Sequence, residues 1–194
     1  MTVSDPTVVF VPGLRDHVPE HWQALLQERL PGSVCVPRLG KSVLSLAAWV
    51  DALDATIAGV AGPIVLVAHS AGVIITAHWA SANSTYVRGA LLVTPPDLEV
   101  PLPAPYPARE ALAQNGWMPV PEKQLPFRST VVASTNDPLA SFDRVEHFSR
   151  QWRSALVNAG EVGHLNPASG FGEWPQAIEL LRAYGVLVAE PATR

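Results

Sequence analysis

The sequence predicts an α/β fold, with helices on both faces of a central, mostly parallel β-sheet of about six strands. Short apolar runs alternate along the chain with longer segments in which apolar residues recur every three or four positions. The short runs are apolar throughout, as expected of strands covered on both faces. Composition agrees, because 48% hydrophobic and 15% charged residues among 194 describe one ordered domain with a substantial core.

Six runs rich in β-branched residues predict the strands. In chain order they are TVVFV at Thr7–Val11, SVCV at 33–36, IVLV at 64–67, ALLV at 90–93, TVVA at 130–133 and ALVN at Ala155–Asn158. The second run contains the single cysteine, Cys35, which its apolar neighbours predict to be a buried strand residue.

Five longer segments have helical periodicity. They are 20–30, 45–58, Ala71–Ala82, 141–152 and 174–184. Proline or glycine lies near their ends, as at Pro19, Pro31, Gly62 and Gly185. Right-handed crossovers between parallel strands would distribute these helices over both faces, giving a three-layer α/β/α sandwich.

One stretch departs from this alternation. Positions 95–126 contain nine of the nineteen prolines and a single short helical segment, 108–115. Because Tyr106 and Trp117 also lie there, we expect a packed excursion over the sheet edge rather than a linker. No second domain is visible, so 1–194 is interpreted as one domain ending in a frayed tail at about 190–194.

Charge and hydropathy exclude several functions. The formal net charge is −4 without clusters of Lys or Arg, which argues against a nucleic-acid partner. The first ten residues lack the basic and apolar regions of a signal peptide, and no stretch reaches the roughly 18 apolar residues of a membrane span. We therefore expect a soluble, cytoplasmic protein whose partner is a small molecule or a peptide.

The segment VLVAHSAGV, residues 65–73, carries the strongest chemical signal. A strand enters a helix through Ser70, which has the form of a nucleophile elbow. The positions two before and two after the serine must be small because the two backbones approach closely there, and Ala68 and Gly72 satisfy this. The usual motif has glycine where Ala68 stands, and the alternative interpretation is a serine that merely caps the following helix.

A nucleophilic serine requires a histidine base and a carboxylate that orients it. Asp137 follows the fifth predicted strand and His164 follows the sixth, so both belong to the strand ends where catalytic groups gather in such sheets. Asp97, after the fourth predicted strand, is the alternative acid. His69 is next to Ser70 in the chain but should diverge from it, and His78 and His147 lie within predicted helices.

A rival pattern, H-x-x-E-H, spans His17 to His21 and is typical of zinc peptidases. Both histidines would have to project from one face of a helix, and Pro19 between them opposes that helix. We therefore expect no metal site here, with His21 and Trp22 packing beside or bordering the active site.

Five segments together resemble the α/β-hydrolase superfamily, and more narrowly its small, lidless serine hydrolases of the retinoblastoma-binding-protein type. The segments are VFVPGL (9–14), HW (21–22), AHSAG (68–72), NDPLASFDR (136–144) and GHLNPASGFGEWP (163–175). The resemblance implies the strand order 2-1-3-4-5-6, with Ser70 as nucleophile, Asp137 as acid and His164 as base. Proteins of this type are named after proteins that they bind. The alternative function is therefore a non-catalytic binding module that retains the hydrolase fold.

The expected enzyme is a serine hydrolase, esterase-like, that needs no cofactor or metal and cleaves an ester, thioester or amide. An oxyanion hole needs two N–H donors, for which the amides of Ala71 and Leu14 are the candidates. His69, Trp22 and Asn166 are the expected substrate-binding residues.

Overall fold

A six-stranded, all-parallel sheet forms the centre of the protein in a computed structural model that describes residues 5–14, 18–40, 44–83 and 85–187. Its strands are β1 (Thr7–Val11), β2 (Val34–Cys35), β3 (Ile64–His69), β4 (Gly89–Val93), β5 (Ser129–Ala133) and β6 (Ala155–Asn158). They are ordered β2-β1-β3-β4-β5-β6. The expected order is thereby confirmed, and the sheet is parallel at every neighbouring pair.

Six α-helices accompany the sheet in the described residues. They are α1 (Trp22–Glu28), α2 (Leu46–Ala58), α3 (Ala71–Ala82), α4 (Arg109–Gln114), α5 (Phe142–Trp152) and α6 (Pro175–Arg182). Side-chain caps fix several starts: Ser45 accepts from the Ala48 amide and Ser141 from the Arg144 amide. The first helix begins two residues later than predicted, because His21 caps it by accepting from the Gln23 amide.

Alternating residues of the central strand β3 face two separate cores. Leu66 and Ala68 join the core beneath α2, α3 and α5, whereas Val65 and Val67 join the core beneath α1 and α6. All six residues of β3 are buried, which explains why its first five residues, Ile64 to Ala68, are apolar without alternation. The molecule is therefore the three-layer sandwich that the sequence predicts.

The proline-rich segment 95–126 is packed, as expected, but against the helical layer rather than over a sheet edge. Trp117 is fully buried and donates its indole N–H to the Leu44 carbonyl, 2.6 Å away, just before α2. The Trp152 indole of α5 donates to the Pro121 carbonyl at 2.8 Å. These anchors hold the segment against the helical layer, and its Tyr106 reaches the candidate site.

The predicted tail at 190–194 lies outside the described residues. Within the described ranges, no helix combines the length and the apolar character that a membrane crossing would require.

Candidate active site

Ser70 occupies a one-residue turn between β3 and α3. Its φ of 57° and ψ of −128° lie in a region that residues with a side chain seldom adopt. The Ser70 amide donates to the Val93 carbonyl of β4 at 2.9 Å, and no side-chain cap bond involves its hydroxyl. The hydroxyl is therefore left for another partner, which argues against the interpretation of Ser70 as a simple helix cap.

The residues two positions before and two positions after Ser70 must be small because the chain at the end of β1 crosses the turn. A Cβ added to Gly72 would overlap the Val11 carbonyl oxygen and lie 2.8 Å from that of Pro12. Gly13 also lies close to the turn, since a Cβ there would lie 3.2 Å from Ser70 Cβ. Ala68 is fully buried in the core under α3, so its extra methyl group is accommodated.

Three side chains from distant parts of the chain meet at this turn. Ser70 Oγ lies 2.8 Å from His164 Nε2, and His164 Nδ1 lies 2.9 Å and 3.0 Å from the two carboxylate oxygens of Asp137. The His164 and Asp137 side chains are 3% and 1% exposed. One Asp137 oxygen also accepts the Leu139 amide at 2.9 Å, which fixes the carboxylate in its turn after β5.

The loop that carries His164 is held by hydrogen bonds at each end. The Gly163 amide donates to Asn136 Oδ1 at 2.6 Å, and the His164 amide donates to Ser169 Oγ at 3.0 Å. Asn166 Oδ1 in turn accepts from the Ser169 amide and hydroxyl, both at 3.0 Å, and caps a short 3-10 helix, Pro167–Ser169. The imidazole is thus positioned by its own loop as well as by Asp137.

His69, adjacent to the serine in the chain, turns away from it. Its Nε2 lies 2.9 Å from the main-chain carbonyl oxygen of His164, and because a carbonyl only accepts, His69 Nε2 carries the proton. Burial lowers the pKa of His69 well below its ordinary value, and nearby His164 and His21 lower it further. A neutral His69 therefore ties the end of β3 to the backbone of the His164 loop.

A cavity of about 240 Å³ opens at Ser70. Its lining consists of Pro12, Gly13, Val18, His21, Gln23, His69, Ser70, Tyr106, His164, Asn166, Pro167 and Ala168. Of the three expected substrate-binding residues, His69 and Asn166 line this cavity and Trp22 does not. Trp22 is 1% exposed and packs edge-on against Trp174, with ring centroids 5.0 Å apart, so its expected contact with substrate is corrected to a packing role.

Gln23 and Tyr106 also line the cavity, and neither is among the site residues that the sequence predicts. Gln23 stands one position beyond Trp22, and a buried polar residue among the apolar positions of α1 is the signal that could have identified it. No local pattern singles out Tyr106 within the proline-rich segment.

The two candidate oxyanion donors lie on another side of Ser70. Leu14 and Ala71 line a second cavity, of about 30 Å³, which also reaches Ser70 and Tyr106. Ala71 is the first residue of α3, where a backbone N–H has no acceptor within its own helix. The structure thus brings both residues next to the serine.

The alternative residues have other partners. Asp97 accepts the Glu99 amide at 3.0 Å and lies 3.5 Å from Arg144. His78 pairs with the Trp117 carbonyl, and His147 pairs with Glu122 at 3.0 Å.

The H-x-x-E-H segment does not form one helical face. His21 caps α1 and Pro19 lies in the turn before it, while His17 lies outside the described residues. Among the residues with a described structure, no three His, Cys, Asp or Glu side chains form a group that could hold a metal ion.

A family model described as serine hydrolase matches residues 8–183 of this chain. Among solved structures, a YdeN-like hydrolase from Pectobacterium atrosepticum is 29% identical with a TM-score of 0.80, and the match covers 93% of this chain and 90% of that one. No curated protein matches the sequence.

Two more distant structures share the fold. The ydeN gene product of Bacillus subtilis has a TM-score of 0.74 at 20% identity, covering 93% of this chain and 98% of that one. Esterase 2 of Thermogutta terrifontis has a TM-score of 0.67 at 18% identity, covering 96% and 86%. The architecture described above is therefore that of known hydrolases.

Proposed function

Because this chain belongs to the serine hydrolase family, we propose that Ser70, His164 and Asp137 are a catalytic triad that cleaves a carboxylic ester, thioester or amide. The observation that carries the proposal is the continuous hydrogen-bonded path from Ser70 Oγ through the His164 ring to the Asp137 carboxylate. Such a path supplies a nucleophile, a base within reach of its proton and a group that orients the base.

Attack by Ser70 Oγ on the substrate carbonyl carbon forms the new C–O bond while His164 Nε2 takes the hydroxyl proton. Asp137 holds the imidazole by Nδ1 and stabilises its charged form. Collapse of the tetrahedral intermediate breaks the bond to the leaving group, which receives the proton from His164, and an acyl-enzyme remains. Water, deprotonated by His164, then attacks the acyl-enzyme and restores Ser70 with release of the acid.

The negative charge on the carbonyl oxygen of the tetrahedral intermediate requires fixed donors. We assign this role to the backbone N–H groups of Ala71 and Leu14, which flank Ser70 from α3 and from the segment after β1. Each such donor is worth about 3 kcal/mol of transition-state stabilisation in well-studied hydrolases.

A small-molecule ester is the substrate class that best suits this site. The cavity of about 240 Å³ accommodates a small ligand rather than a folded protein segment, and similar structures include the esterase from Thermogutta terrifontis. The alternative of a non-catalytic binding module finds less support, because a binder has no need of a buried Asp137 and His164 aligned on Ser70.

The test is hydrolysis of p-nitrophenyl acetate and butyrate by the wild type and Ser70→Ala, together with labelling by a fluorophosphonate. We expect Ser70-dependent turnover and labelling, both lost in Ser70→Ala. The matched control is Ser81→Ala, because the Ser81 hydroxyl donates to the His78 carbonyl in α3, away from the site. Equal turnover in wild type and Ser70→Ala, with no labelling of either, would overturn the proposal in favour of the binding module.

A further inference from the structure

Gln23 is a buried polar side chain at the edge of the catalytic cavity. It lies in the first turn of α1, is 2% exposed and lines the cavity that opens at Ser70. The triad and the oxyanion donors make no use of it. A polar residue enclosed to this degree normally satisfies all of its hydrogen-bonding groups, so its partners identify its role.

The orientation of the Gln23 amide follows from its two neighbours in the sheet. Nε2 donates to the Val67 carbonyl at 3.0 Å and is 3.4 Å from the Val11 carbonyl, 44 and 12 positions away in the chain. Both neighbours are acceptors, so the group facing them is the NH₂ and not the oxygen. The NH₂ group of the side chain is therefore occupied by main-chain carbonyls of β1 and β3.

The acceptor end is not engaged. Gln23 Oε1 receives no hydrogen bond from any residue in the described ranges. Among the described residues, the fully enclosed side-chain polar atoms that have no hydrogen-bond partner belong to Trp22 and Arg144. Gln23 Oε1 is not one of them, so this oxygen is not sealed in the core. Gln23 Oε1 is therefore accessible, while the NH₂ group of the same side chain faces the sheet. A ligand in the cavity can donate a hydrogen bond to this oxygen.

Neighbouring polar groups at the cavity already have partners. His69 is bonded to the His164 carbonyl, and Asn166 Oδ1 accepts twice from Ser169. His21 Nδ1 accepts the amide of Gln23 itself. The side-chain Oε1 of Gln23 is thus a fixed acceptor on the cavity that Ser70 also lines, held in one orientation before any ligand arrives.

We propose that Gln23 Oε1 accepts a hydrogen bond from a hydroxyl or N–H group of the substrate, so that Gln23 is a specificity-determining residue. The inference rests on the proposed hydrolase function. A substrate that carries a donor forms a hydrogen bond with this oxygen when it displaces solvent, whereas an analogue without a donor leaves the enclosed acceptor unpaired. Sites built in this way discriminate strongly against analogues that lack the donor.

The experiment measures kcat/KM for two matched pairs of esters that differ in one hydroxyl group. In the acyl pair, p-nitrophenyl 3-hydroxybutyrate is compared with p-nitrophenyl 3-fluorobutyrate. In the alcohol pair, 2-hydroxyethyl acetate is compared with 2-fluoroethyl acetate. Fluorine is similar in size to hydroxyl but cannot donate, and the pair that responds identifies the part of the substrate that Gln23 contacts.

The reference is the ratio of the rates at which hydroxide hydrolyses the hydroxyl and fluoro members of a pair in solution. For one pair, we expect the wild-type ratio of kcat/KM to exceed this reference ratio by about tenfold. Gln23→Met, which keeps the length of the side chain and removes its acceptor, should lose this preference. The control is Gln27→Met, one turn further along α1, since Gln27 is half-buried and does not line the cavity; this variant should keep the preference.

Wild-type ratios equal to those of hydroxide in both pairs would overturn the proposal, and this comparison does not depend on whether Gln23→Met folds. Equal ratios in a folded wild type and a folded Gln23→Met, checked by near-UV circular dichroism, would overturn it as well. Failure of the hydrolase function is a different result, because Ser70-dependent turnover of all four esters would then be missing.

Discussion

His69 stands next to Ser70 in the chain, yet its ring bonds to the loop that carries His164. Its Nε2 hydrogen bond to the His164 carbonyl joins residues 95 positions apart, and its ring centroid lies 5.0 Å from that of His164. Because burial keeps His69 neutral, it adds no charge beside Ser70 and His164. At the scale of single residues, the site is therefore organised around the position of His164.

The role of Asp137 gives a prediction at the same scale. Replacing Asp137 with Asn keeps the shape of the side chain but leaves His164 without an anionic partner and favours the wrong tautomer. We expect kcat for p-nitrophenyl acetate to fall by about 10³- to 10⁴-fold, as for the corresponding change in well-studied triads. Steady-state kinetics of the purified variant measure this loss.

The matched control is Asp97→Asn, because Asp97 follows the neighbouring strand and contacts Arg144 instead of His164. Its kcat should stay within about threefold of the wild type, since the measured reaction involves no group that Asp97 touches. A larger loss in Asp97→Asn than in Asp137→Asn would contradict the assignment of the acid.

At the scale of elements, Arg144 of α5 holds the proline-rich segment in place. Its Nη1 donates to Glu122 at 3.0 Å, its Nη2 lies 3.1 Å from Glu99, and its guanidinium carbon lies 4.3 Å from the centre of the Phe148 ring. The Arg144 side chain is only 16% exposed. The contact to Glu99 is an ion pair without hydrogen-bond geometry, so Glu122 is the directional partner.

Removing this cation should destabilise the protein, because several carboxylates would face one another without compensation. We expect Arg144→Met to lower the free energy of unfolding by about 1 to 3 kcal/mol, less than for a fully buried pair. Urea denaturation followed by tryptophan fluorescence measures the change.

A second arginine of the same helix provides the comparison. Arg150 pairs with Glu146 at 2.9 Å in an i,i+4 arrangement, and its side chain is 63% exposed. Arg150→Met should therefore cost less than about 0.5 kcal/mol. If Arg144→Met and Arg150→Met were equally stable, the contacts of Arg144 with the proline-rich segment would have no energetic role.

At the scale of the whole molecule, buried histidines couple folding to pH. Burial lowers the pKa of His69 strongly and that of His78 to a smaller extent. In the unfolded chain both would titrate near their ordinary value of about 6.5, so the unfolded state binds more protons below that pH. The free energy of unfolding therefore has its full value above pH 6.5 and decreases as the pH falls below it.

We therefore expect the urea midpoint of the wild type to decrease steadily between pH 7.5 and pH 5. His69→Asn, which removes the larger of the two shifts, should have a lower midpoint at pH 7.5 and a weaker dependence on pH. Equilibrium denaturation at four pH values in this range tests the prediction. A variant whose midpoint falls as steeply as that of the wild type would exclude His69 as a source of the dependence.

Much of this fold could be predicted from local composition. A strand such as β3, which is buried on both faces, has to be apolar along most of its length, and its first five residues, Ile64 to Ala68, identify it from the sequence alone. Ser70 could be predicted because a tight strand-to-helix turn admits only small neighbours, as the overlap at Gly72 demonstrates. The resemblance to the α/β-hydrolase superfamily is confirmed by the family match, and the narrower retinoblastoma-binding-protein type stays a prediction.

Neighbours along the chain are enough to predict the strands, their covering helices and the residue types that a serine hydrolase needs. Which side chains meet depends on tertiary packing. Gln23 reaches β3, Tyr106 enters the cavity and Trp22 packs behind it only because segments far apart in the chain are folded against one another. Such contacts depend on the packing of whole helices on the sheet, and no local pattern of residues specifies them.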